Sequence, residues 1–153
     1  MKIIYSCYGG AHTSIVAASI HLNLLPTDRV PFIKEIMSIP YYDYITNSSI
    51  GIPLYMGRDN QSNDIYVLGM GACRTQLTEL IYNYALYCNI HSKKHLHVVN
   101  SIALINLPVR VGGFMSKKLK LMYIGKPITA YGIRKDYRLY AELVQNVKDT
   151  LQA

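Results

Sequence analysis

The chain has 153 residues, half of them hydrophobic and 16% charged, which excludes intrinsic disorder and fits one domain with a sizeable core. No apolar run approaches the roughly eighteen residues of a membrane span, and the first residues lack the long apolar core of a signal peptide. The net charge of +7 is uneven: residues 1–90 carry 5 basic and 6 acidic side chains, residues 91–153 carry 11 and 3.

In chain order, Ile3, Ile4 and Tyr5 predict a strand over 2–7, closed by glycines. A glycine loop leads into a helix over 14–25, with Ala17, Ala18, Ile20 and Leu24 on one face, Thr13 or Ser14 as N-cap, and Pro26 as its stop. His21 on this helix reads as a surface or interface residue. Pro31 opens a short helix over 31–38, and 41–50 reads as loop. Segments 52–58 and 64–69 flank a polar turn and predict an antiparallel hairpin. Leu77, Leu80, Ile81 and Tyr84 recur at helical spacing across 73–88, which puts Cys88 on an apolar face. A strand over 95–100 follows. Residues 102–121 read as helix interrupted at Pro108 and Gly112-Gly113, and 128–131 as a short strand. Asp136 caps a last helix with Leu139, Leu143, Val147 and Leu151 at every fourth position. Strands alternating with helices predict an α/β fold: one three-layer domain, a mostly parallel sheet of about five strands with one antiparallel hairpin, and helices on both faces.

Sites in such sheets lie at the carboxyl ends of strands. Cys7-Tyr8-Gly9-Gly10-Ala11-His12-Thr13-Ser14 occupies such a place. Gly9 and Gly10 let the backbone curl, and a following helix adds unpaired N–H groups and the positive end of its dipole. Gly9, Gly10, Ala11, Thr13 and Ser14 therefore form a candidate anion site, with phosphate as the usual occupant. A cysteine at its mouth meets the same field, so Cys7 is the candidate nucleophile and His12 the candidate acid or base. The plainer alternative is a tight turn with a buried cysteine serving as a small hydrophobe. Arg74, after Gly69-Met70-Gly71, and Lys117 and Lys118, after Gly112-Gly113, are candidate counter-charges, with the glycine pair as pivot of a basic lid. Cys7, His12 and Cys73 lack the close spacing of zinc ligands, so no metal site is predicted. His91, His95 and His97, with Lys93 and Lys94, read as a connector at a strand edge. Three cysteines without pairing point to reduced thiols in a cytoplasmic protein.

The spacing of Cys7, Gly10, Thr13 and Ser14 resembles the phosphocysteine loop of sugar phosphotransferase B subunits, which implies transient phosphorylation of the cysteine. The same segment is similar to the loop of low-molecular-weight tyrosine phosphatases, although Thr13 stands where their arginine would grip phosphate. Residues 9–13 also resemble the loop of ATP pyrophosphatases, with Tyr8 and His12 in place of a serine and an aspartate. A longer similarity joins residues 6–14 to Ile39-Pro40-Tyr41-Tyr42-Asp43, Met56-Gly57-Arg58-Asp59, Gly69-Met70-Gly71 with Arg74, and Gly112-Gly113-Phe114-Met115-Ser116. In these blocks the chain resembles a bacterial family catalogued as domain of unknown function 3189, which implies a cytosolic setting and no particular activity.

The expected function is binding of a phosphorylated small molecule or nucleotide at the first loop, with phosphoryl transfer at Cys7 if the protein is an enzyme; no cofactor is specified. Two other classes stay open. The basic half of the chain suits nucleic acid, though no RNA-recognition, zinc-finger or helix-turn-helix pattern accompanies it. Fourteen tyrosines suit a non-catalytic protein-interaction module.

Overall fold

The computed structural model describes residues 1–90 and 95–152. His91, Lys93 and Lys94 lie outside the described residues. Strand β1 (Lys2–Cys7) leads through the glycine loop into helix α1 (Thr13–His21), and a short helix α2 (Ile33–Ser38) follows. Strands β2 (Leu54–Arg58) and β3 (Asp64–Gly69) form the hairpin. Helix α3 (Arg74–Tyr87), strand β4 (Leu96–Asn100) and helices α4 (Leu107–Lys117), α5 (Met122–Lys135) and α6 (Tyr137–Gln152) complete the chain.

The sheet has four described strands in the order β2-β3-β1-β4, with β1 parallel to both β3 and β4 and only the hairpin antiparallel. The expected fifth strand, 128–131, lies inside α5. Its Ile128, Thr129 and Tyr131 look β-compatible alone, but Gly125, Thr129 and Gly132 form a helical stripe of small residues that seats α5 on α4. Nor is 102–121 broken where expected. Pro108 sits in the first turn of α4, where its missing N–H costs little. The Asn106 side chain caps that turn by accepting from the Val109 N–H at 3.1 Å.

Alternation along β1 divides the core. Ile3 and Tyr5 face α1, α5 and α6 together with Ile65, Val67 and Val99. Ile4 faces the other side, where Leu68 and Met70 meet Leu77 and Ile81 of α3. The α3 side is thinner: Leu80, Tyr84 and Tyr87 of that helix are exposed. Cys88, expected in the core, is exposed: it is the C-cap of α3, one turn beyond Ala85, the buried residue of that helix.

His21 is not on the surface. It is 1% exposed, with Nδ1 2.7 Å from Tyr5 Oη and Nε2 3.0 Å from Asp59 Oδ2. The turn between β2 and β3 thus ties to α1 through a Tyr–His–Asp chain. Burial, offset in part by Asp59, holds the His21 imidazole below its ordinary value of 6.5. A histidine held neutral in the fold must charge on unfolding, so its contribution is complete above that value and is lost as pH falls. The melting temperature is therefore expected to fall from pH 7 to pH 5, and the fall to shrink in His21→Gln; an unchanged slope in that variant would remove His21 as the cause.

Candidate functional site

Cys7 ends β1, and residues 8–12 curl before α1 begins at Thr13. The curl rests on the end of β3: Met70 N–H donates to Cys7 O and Gly71 N–H to Tyr8 O, both at 2.9 Å. Gly10 has φ +74°, and a Cβ there would lie 2.9 Å from Gly69 N, so only glycine fits. On the other side, Ser101 Oγ donates to Ser6 O at 2.8 Å. The loop is thus held by the ends of both strands that flank β1.

The Cys7 sulfur accepts the Gly10 N–H at 3.1 Å and lies 3.2 Å from Ser14 Oγ. Gly10 and Ser14, both expected at the anion site, touch the sulfur and do not line the cavity beside it. Cys7, Tyr8, Gly9, Ala11, His12 and Thr13 line a cavity of about 960 Å³. The opposite wall is α4, which presents Arg110, Phe114, Lys117 and Lys118. The structure therefore brings together Cys7, His12 and the first loop with Lys117 and Lys118, across more than a hundred residues. Arg74 begins α3 and is not among the residues lining this cavity. Cys73 is exposed beside it, and among the described residues no group of three or more His, Cys, Asp or Glu side chains is placed to hold a metal.

Asp43 joins the two walls. Its N–H donates to Ala11 O at 3.0 Å. Its side chain is fully buried; Oδ1 lies 2.8 Å from His12 Nε2, and Oδ2 accepts from Ser116 Oγ at 2.6 Å. Lys117 Nζ lies 2.9 Å from Oδ1 and donates to Asp43 O at 2.6 Å. Burial opposes ionisation of this carboxyl, but hydrogen bonds from His12, Ser116 and Lys117, with the charge of His12, outweigh it and hold the group down at about 2. With Asp43 ionised, His12 Nε2 carries the proton it donates, and in the neutral ring Nδ1 is the free basic nitrogen. That edge of the ring faces Gly113.

The expected counter-charges thus divide. Lys117 is held by Asp43. Lys118 and Arg110 are exposed on the cavity wall, and neither has a carboxylate partner among the described residues. Sequence reasoning did not single out Arg110, Asp43 or Ser116 as site residues. A usable signal existed for Arg110, which falls two helical turns before Lys117 on the same stretch of α4. Nothing in local sequence marks Asp43, whose partners lie 31 and 73 positions away.

An α/β sheet with a glycine loop at the end of its first strand, facing a cationic helix across a cavity, is the class that fold and geometry define. Within it, the chain belongs to the family described as Protein of unknown function (DUF3189), whose sequence model matches residues 2–149. No curated protein and no solved structure matches the chain. No helix among the described residues is long and apolar enough to cross a membrane.

Proposed function

We propose that the protein binds a phosphorylated small molecule or nucleotide in this cavity, with the phosphate at the backbone of Gly9 and of Ala11 to Thr13, where α1 starts. The observation that supports the reading is the shared cavity: one wall is the glycine loop and the start of α1, the other carries Arg110 and Lys118, which have no carboxylate partner among the described residues. Its size is that of a small-molecule site. In the enzymatic form of this reading the Cys7 thiolate attacks phosphorus. An S–P bond forms as the ester P–O bond breaks, and His12 Nδ1, which takes up the Cys7 thiol proton as the thiolate forms, passes that proton to the departing oxygen. Asp43 fixes the imidazole for that role.

Calorimetry with inorganic phosphate tests the binding. Arg110→Ala with Lys118→Ala is expected to weaken it by about 1–3 kcal/mol, and more so at low salt. Gly10→Val is expected to abolish it. If phosphate does not bind, or if neither change matters, the reading fails. Lys118, Lys120 and the nearly fully exposed Tyr123 lie close in sequence, and these favour a second reading, nucleic-acid binding by the basic half. RNA or DNA affinity that falls steeply with salt, without any phosphate binding, is the result that reading requires.

A further inference from the structure

Resting on the phosphate reading, we infer that the ligand is a phosphate monoester whose other half is apolar, an aryl or branched alkyl group rather than a sugar or polyol. The distribution of polar atoms around the cavity carries this. Its hydrogen-bonding side chains are those of the first loop, Tyr8, His12 and Thr13, and the cations of α4. The rest of the wall has no polar side chain, and Ile45, Ile102, Ile105, Leu107, Val111 and Phe114 form most of it. No amide, carboxylate or hydroxyl side chain stands among these six. A sugar hydroxyl pressed against them would give up water and find no replacement partner.

The same wall is costly while uncovered. Leu107 is 71% exposed, Phe114 57% and Val111 44%. These side chains stand on α4 beside Arg110 and Lys118. One bound molecule therefore meets both requirements, with its dianionic end on the loop, Arg110 and Lys118, and its apolar end on Phe114 and the residues around it. Covering a ring-sized apolar group on such a wall is worth about a tenfold gain in affinity or more.

The test titrates the full chain by calorimetry with inorganic phosphate, phenyl phosphate, glycerol 3-phosphate and adenosine monophosphate. Phenyl phosphate is expected to bind about tenfold more tightly than inorganic phosphate, and glycerol 3-phosphate no more than about twofold more tightly. In Phe114→Ala the advantage of phenyl phosphate over inorganic phosphate is expected to collapse; Phe114 is exposed, so this variant should fold. If glycerol 3-phosphate or adenosine monophosphate matches phenyl phosphate while inorganic phosphate still binds, the apolar-ester inference is overturned and the phosphate reading stands. Persistence of the phenyl advantage in Phe114→Ala overturns it as well, since the ester group then lies elsewhere. If none of the four binds, the phosphate reading itself fails and takes the inference with it.

Discussion

Gly112→Ala is expected to destabilise the fold by about 3 kcal/mol or more, whereas Gly113→Ala, one residue on, is expected to leave stability unchanged or raise it by up to about 1 kcal/mol. Both glycines are inside α4, where glycine is inherently unfavourable. What separates them is the neighbour each faces. A methyl at Gly112 would lie 2.7 Å from Gly125 O and from Thr129 N, which are backbone atoms of α5 that cannot swing aside. A methyl at Gly125 would meet the Gly112 and Ser116 backbone just as closely. The two helices therefore approach through paired glycines, with Val109 near Gly132, Gly112 near Thr129 and Ser116 near Gly125, an antiparallel register. At Gly113 the nearest atoms belong to the His12 ring, at 3.6 and 3.7 Å, an ordinary contact. Urea unfolding of the two variants checks the contrast. Equal effects would mean that the α4–α5 approach is looser than described. The consequence reaches the cavity, because any outward shift of α4 carries Arg110, Lys117 and Lys118 with it.

The same pair of glycines shows what the sequence could and could not reveal. That something must offset two glycines in an apolar helical pattern was legible from propensity alone. Close backbone packing is such an offset, and it holds for Gly112. The expected pivot does not, since α4 runs unbroken through both residues. The first loop was legible because all its determinants are local: a β-rich run, two glycines and a helix start. The strand at 128–131 was misread for the opposite reason. Four residues of apolar and β-branched character carry no period long enough to distinguish strand from helix, and the small-residue stripe that decides the matter needs α4 as its partner. Cys88 and His21 were misplaced because burial of a single side chain depends on the opposing layer. For His21 that layer is the turn holding Asp59, 38 residues away.

Asp43→Ala is expected to cost about 3 kcal/mol and, in the surviving folded protein, to loosen both walls of the cavity at once. The residue is 2% exposed and sits at φ +61°, a backbone region that asparagine and aspartate tolerate better than alanine. Removing the carboxylate leaves Ser116 Oγ and His12 Nε2 without an acceptor and takes the counter-charge from Lys117, whose Nζ keeps only the Asp43 carbonyl; the penalty of breaking a buried ion pair arises there. Asp43→Asn keeps the backbone preference and part of the hydrogen bonding, so it separates charge from shape. The pH dependence gives the sharper measurement. A carboxyl held at about 2 in the fold, against an ordinary 3.8, stabilises the fold fully above that ordinary value and loses its contribution as pH falls towards about 2. Wild-type protein should therefore lose about 2 kcal/mol more than Asp43→Asn across that window. Other carboxyls titrate there too, Glu35 among them, and the difference between the two proteins removes their shared share. Parallel curves would mean that the His12, Ser116 and Lys117 contacts do not favour the charged form. The loop and α4 would then be joined by packing alone, and His12 would lack the fixed orientation that its proposed role requires.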